Sequence, residues 1–233
     1  MGSNWTSAAA EGHIAKFETL SAEELASVVA ITDEDGRSLL HLAVAGGHLE
    51  LLELLVATSA APSVVASADE EGWTPLQSAV SIGSIRCVEI LLNILDLKGV
   101  NAKNEGGRTA LHYGASKGHA EIVTMLIEQG AKLNTKDKFG STPLHRAAST
   151  GQLGVMKILV DTGKADLAAE DCEGQTPILI AVKCGNDAVA VLLASYGADV
   201  EAADKEGNTP IEFAQPPLRE KMTVASAANM NET

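Results

Sequence analysis

His41, His112 and His145 are the side chains of this 233-residue chain best suited to chemistry, because a neutral imidazole can relay a proton near physiological pH or ligate a metal. Acid–base work needs a nucleophile and an orienting carboxylate beside the ring. All three histidines instead stand at the same point of a recurring segment. No Ser/His/Asp set, paired-carboxylate motif or phosphate-cradling loop accompanies them. They are read as structural, bonding neighbouring turns. Cys87, Cys172 and Cys184 are odd in number and lack C-x-x-C or Cys/His spacing, which argues against a disulfide framework and against a zinc site. The expectation is a chain with no catalytic residue, no cofactor and no metal.

Aromatic residues make up only 3% of the chain although 45% is hydrophobic, so burial must come from Ala, Leu, Val and Ile in thin layers, as closely stacked short helices provide. The net charge of -14 opposes binding to a phosphate backbone. Residues 1–75 carry 12 acids and 2 bases, residues 76–165 carry 7 and 11, and residues 166–233 carry 12 and 4. These acidic, basic and acidic bands predict a partner with the complementary pattern. No apolar run approaches the ~18 residues of a membrane span and the N-terminus lacks signal-peptide character, so a soluble intracellular protein without a membrane role is expected. The segment Met1-Gly2-Ser3-Asn4-Trp5-Thr6 fits the loose N-myristoylation pattern, although Thr6 is better explained as the cap of a first helix.

The elements that position these residues repeat. A glycine followed two residues later by Ser or Thr recurs at Gly36, Gly72, Gly107, Gly140, Gly174 and Gly207, and a second series runs in step through Gly12, Gly47, Gly83, Gly118, Gly151 and Gly185. The first glycine permits a tight turn and a projecting β-hairpin finger. Ser38, Thr74, Thr109, Thr142, Thr176 and Thr209 then cap a first helix, and proline often follows at its first position. The second glycine ends that helix, and an apolar run such as Glu121 to Ile127 forms the next. Helices this short are unstable alone, so each repeat stands by burying its apolar face against its neighbours.

Thr142-Pro143-Leu144-His145-Arg146-Ala147 matches the ankyrin signature T-P-L-H-x-A, and the resemblance to ankyrin repeats covers nearly the whole chain. It implies an all-α solenoid of about seven helix-turn-helix repeats with β-hairpin fingers, forming a single domain over residues 1–222. The expected divisions are a degenerate capping repeat at 1–33 with two helices and no finger, full repeats at 34–203, and a truncated cap at 204–222. In that cap Pro216-Pro217 interrupts the second helix, and a disordered tail occupies 223–233. Thr58-Ser59-Ala60-Ala61-Pro62-Ser63 reads as a surface bulge.

In such a stack the fingers and first helices line a concave face, and the side chains that vary there between repeats carry specificity. One column contains Arg37, Trp73 and Arg108. A second contains Leu42, Tyr113, Arg146 and Ile180, and a third contains Ile82 and Lys117. Trp73, on a finger, is the expected anchor, with Asp69, Glu70 and Glu71 as acidic fingertips beside it and Arg37, Lys117 and Arg146 as cations.

The finger Asp69-Glu70-Glu71-Gly72-Trp73-Thr74-Pro75-Leu76, the stretch Leu111 to Lys117 and the segment His145-Arg146-Ala147-Ala148 resemble the gankyrins, ankyrin-repeat chaperones of the proteasome regulatory particle. That resemblance implies a monomeric protein of cytoplasm and nucleus that clasps the C-terminal helical domain of a proteasomal ATPase subunit and assists assembly of the particle's base. Arg37, Trp73, Lys117 and Arg146 match the family's contact face. The likeness stops at the retinoblastoma-binding L-x-C-x-E pentapeptide of animal gankyrins, where this chain reads Leu179-Ile180-Ala181-Val182-Lys183, and at Leu42, where the family often has tryptophan. The alternative on the same scaffold is a regulator that binds a cyclin-dependent kinase or a transcription factor.

Overall fold

A computed structural model describes residues 3–58 and 64–230. Met1 and Gly2, and Ser59 to Ser63 of the expected bulge, lie outside the described residues. The chain packs as two compact units, Met1–Ala110 with Met125–Ala131, and Leu111–Thr124 with Lys132–Thr233.

The first unit begins with α1 (Ser3–Ala10), α2 (Ile14–Glu18) and α3 (Ala22–Val28). Thr6 is buried inside α1, so it does not cap that helix, and the capping repeat has three helices where two were expected. The break falls at Ser21, whose side chain accepts from Glu24 N–H while the Glu24 carboxylate accepts from Ser21 N–H, a local arrangement that starts α3 afresh. The repeats continue with α4 (Leu39–Gly46), α5 (Leu49–Val56), α6 (Pro75–Ile82), α7 (Ile85–Leu92) and the short α8 (Leu97–Val100). First helices α1, α4 and α6 pack side by side, and α2, α5 and α7 form a second row behind them. Leu39, Leu40, Leu51, Leu52, Leu55, Leu76 and Leu91 are fully buried between the rows. Each contributes ~1.5–3 kcal/mol relative to exposure, which the isolated eight-residue helices lack.

Helices α9 (Ala110–Lys117) and α10 (Ala120–Glu128) follow. In the second unit come α11 (Pro143–Thr150), α12 (Leu153–Asp161), α13 (Pro177–Lys183), α14 (Asp187–Ser195), α15 (Pro210–Phe213) and α16 (Pro216–Met230). Again the first helices, α11, α13 and α15, form one row, and α12, α14 and α16 form the other. The prolines at 216 and 217 begin α16 and do not interrupt it, because the first turn of a helix needs no N–H from them. Residues 223–230, expected within a disordered tail, are helical. Leu218 and Met222 are buried, Ala225, Ser226 and Asn229 are half-buried, and this helical spacing lays α16 along α14. Small and polar residues continue the buried stripe, so composition alone concealed it.

The fingers are turns with too few backbone bonds to count as strands. Among the described residues no strand forms, and Thr32 with Ser38 makes an isolated antiparallel bridge. Each finger is closed by two main-chain bonds, as from Asp69 N–H to Trp73 O at 2.8 Å with Gly72 N–H to Asp69 O at 3.0 Å, and from Asp137 N–H to Ser141 O with Gly140 N–H to Asp137 O, both at 3.0 Å. Successive fingers are tied by a single further bond: Glu70 N–H to Asp35 O in the first unit, and Cys172 N–H to Phe139 O in the second. At Gly140, with φ of 74°, an added Cβ would stand 2.9 Å from Cys172 N, so the turn and the approach of the next finger both demand glycine.

Candidate partner-binding surfaces

The expected binding residues divide into those that build the fingers and those that face outward. Asp69 belongs to the first group. Its Oδ1 accepts from Glu71 N–H at 3.0 Å and Trp73 N–H at 2.8 Å, so this carboxylate braces the turn. The same role recurs at Asp33, Asp137, Asp171 and Asp204, each accepting two finger amides, and Asn104 accepts from Arg108 N–H. Sequence reasoning missed this series, although it keeps step three residues before the turn glycine. The sequence groups Asp69 with Glu70 and Glu71 as acidic fingertips. Those two are exposed.

The histidines complete the scaffold. Ser38 N–H and the Ser38 hydroxyl both approach His41 Nδ1, at 3.1 and 2.9 Å, and His41 Nε2 lies 2.9 Å from Trp73 O. A backbone N–H can only donate, so Nδ1 accepts and the proton sits on Nε2, which donates to the next finger. His145 repeats this with Thr142 and Gln175 O, and His112 Nε2 reaches Ser141 O at 3.1 Å. Gln77 stands in for histidine in the intervening repeat, its Nε2 donating to Ala102 O and Arg108 O. Where Leu179 occupies the position, the Thr176 hydroxyl is buried without a hydrogen-bond partner among the described residues. Burial pushes the His41 and His145 pKa values below the ordinary imidazole range, against the raising effect of the finger carbonyls.

In the first unit Asp35, Arg37, Asp69, Glu70, Glu71, Trp73 and Ser78 line a cleft of about 390 Å³. Arg37 is exposed but paired, to Asp33 at 2.8 Å and Asp35 at 3.1 Å. Burial works to raise the Asp33 carboxyl, but hydrogen bonds from the Arg37 side chain and from finger amides outweigh it and hold Asp33 below its usual range. Trp73 is half-buried in the cleft and does not stand free on a tip. Arg108 is half-buried, and Ile82, at the end of α6, is 55% exposed. Leu42 was expected on the binding face and is buried, because α4 is flanked by α1 and α6 and backed by α5.

In the second unit Lys117 is exposed, while Tyr113 and Ile180 are half-buried. Arg146, expected as a cation of the binding face, pairs with the fully buried Asp137 carboxylate and lies over the Phe139 ring at 5.9 Å from its centroid. A matching unit joins Lys183 to Asp204 at 2.8 Å, with the ammonium 5.3 Å from the Phe213 centroid. The Lys183 bond is the main reason that the Asp204 carboxyl is held well below the usual carboxylate range. Phe139 and Phe213 remain 61% and 48% exposed; Phe213 continues the second variable column of the sequence, whereas Phe139 was not singled out as a contact. For Phe139 the available signal was an aromatic ring beside the turn glycine Gly140.

Among the described residues no group of three or more His, Cys, Asp or Glu is placed to hold a metal ion, and no helix is long and apolar enough to cross a membrane. Fixed bracing residues carrying variable outward side chains are the design of a repeat scaffold for protein binding. The chain matches the family described as ankyrin repeats (3 copies) over residues 6–101, 61–137 and 134–204, and it belongs to that family. Among solved structures it is similar to the ankyrin repeat domain of Bcl-3, a member of the IkappaB protein family. The TM-score is 0.80 at 24% identity, with 94% of this chain and 97% of that chain covered, a likeness of fold. Ankyrin repeats are typically non-catalytic binding modules, and this chain is an ankyrin-repeat protein-binding scaffold.

Proposed function

We propose that this scaffold is an assembly chaperone of the proteasome regulatory particle, working in cytoplasm and nucleus as a monomer that holds the C-terminal helical domain of one proteasomal ATPase subunit. The observation that carries the reading is the cleft around Trp73. A half-buried indole is rimmed by the outward carboxylates of Glu70 and Glu71 and by the Arg37 guanidinium, on the finger whose sequence, Asp69 to Leu76, resembles the gankyrins. An indole beside charges of both signs fits an anchor for a partner that presents an apolar side chain within a polar rim.

The mechanism is capture by a preformed surface. Finger backbones braced by Asp33 and Asp69, and tied to each other by Glu70 N–H and Asp35 O, lose little conformational freedom on binding. Affinity capture from cell extract with the full chain, read by mass spectrometry, tests the reading. Recovery of proteasomal ATPase subunits supports it, whereas recovery of a cyclin-dependent kinase or a transcription factor without them overturns it in favour of the other scaffold role.

A further inference from the structure

Behind the fingers of the first unit the second helices enclose a larger groove of about 690 Å³, lined among others by Glu53, Arg86, Glu89, Ile90, Met125 and Glu128. Half-buried Val56, Ile94 and Met125 contribute apolar side chains to its floor, with Ile90 and Leu92 buried beneath, and its walls carry charge. Arg86 reaches Glu89 at 2.6 Å and Glu53 at 3.5 Å, and Glu128 lies exposed on the same lining. Three carboxylates against one guanidinium leave the walls acidic. The proposed partner surface on the fingers uses none of these residues.

We infer that this groove is a second docking surface, for an amphipathic helix of a partner protein with apolar residues along one face and Lys or Arg flanking them. Three features select this occupant. The lining residues come from α5, α7, the turn after α7, and α10, where helical amides and carbonyls bond along their own helices, so recognition falls to side chains and strand addition has no edge to use. Val56, Ile94 and Met125, half-buried on three separate segments, give apolar contact points for the nonpolar face of a helix laid between the charged walls. The acidic excess on the walls attracts flanking ammonium or guanidinium groups and repels an acidic helix. Arg86, already engaged by two carboxylates, fixes the wall without neutralising it.

The probe is a fluorescently labelled synthetic peptide of Leu and Lys, with Leu at i, i+3, i+4 and i+7, titrated against the full chain. Saturable binding is expected, weakening with added salt. A scrambled peptide of the same composition, and a version with Glu for Lys, should bind at least ~10-fold more weakly. The double variant Glu89→Lys/Glu128→Lys should lose ~10-fold or more, while Glu34→Lys/Glu70→Lys, which changes net charge equally but on the fingers, should bind as the parent does. Equal binding of the scrambled peptide, or equal loss in both double variants, would mean attraction to net charge alone and would overturn the inference. Loss confined to the finger variant would assign the peptide to the fingers and overturn it as well. If the double variant fails to fold, the single variant Glu128→Lys, on an exposed side chain of the groove, locates the site in its place, and unchanged peptide binding there would overturn the inference.

Discussion

His41 Nε2 donates to the carbonyl oxygen of Trp73, across 32 residues and at 2.9 Å, so the ring that caps one repeat also holds the finger of the next. The residue expected to anchor a partner is thereby fixed through its own backbone by a buried histidine of the preceding repeat.

Replacing His145 by Ala removes the corresponding bond to Gln175 O and strands the Thr142 amide. We expect a loss of ~1–3 kcal/mol, measured by urea unfolding with circular dichroism. His145→Gln should recover part of it, since Gln77 performs the same role at its own position.

Stability should fall in two stages as pH is lowered. His41 and His145 have depressed native pKa values, so the native state binds fewer protons than the unfolded chain. Their contribution is complete above the unfolded imidazole value, ~6.5, and is lost as pH falls toward the native one. Asp33, Asp137 and Asp204 are also depressed, so their contribution is complete above the usual carboxylate value, ~3.9, and lost only below it. Thermal melts between pH 7 and 2 should show a shallow decline near pH 6 and a second one below pH 4. The double variant His41→Gln/His145→Gln should abolish the first alone.

Charge reversal separates bracing cations from free ones. Arg146→Glu sets a carboxylate against buried Asp137 and should cost ~1–3 kcal/mol, whereas Lys117→Glu, on an exposed side chain, should stay within ~0.5 kcal/mol of the parent. Reversing Arg146 therefore confounds partner loss with unfolding. Lys117 and Trp73 are the cleaner probes.

Met222→Ala, at a fully buried position of α16, should destabilise the second unit by ~2–4 kcal/mol, with amide exchange in α14 accelerated before that in α11. Unchanged exchange in α14 would show that α16 does not cover it in solution.

What the sequence disclosed followed from residue types that have one physical use. Ser38, Thr74 and Thr142 before a helix, and glycines such as Gly151 after one, announced the helix ends. Gly151 indeed sits at φ 72° as the C-cap of α11. Even there the structure adds a second reason, because an added Cβ would stand 2.6 Å from Asn186 Oδ1, whose amide group donates to Ala148 O in the preceding repeat. Side chains with several uses were misread. Asp69 braces its finger, Leu42 is covered by α1, α5 and α6, and the polar stretch after Met222 carries a helix whose half-buried face is made of Ala225, Ser226 and Asn229. Type could not distinguish these cases, since exposure is decided by what packs alongside. Arg37 and Arg146 were legible as outward cations, but their intramolecular carboxylates were not.

The most direct test is calorimetric titration of the full chain with the isolated C-terminal helical domain of each proteasomal ATPase subunit, alongside the Trp73→Ala and Lys117→Glu variants with helical circular dichroism matched to the parent. The account predicts that one domain binds at a 1:1 ratio and that Trp73→Ala weakens it by ~10-fold or more. Absence of binding to every domain, or unchanged affinity in both variants, would contradict it.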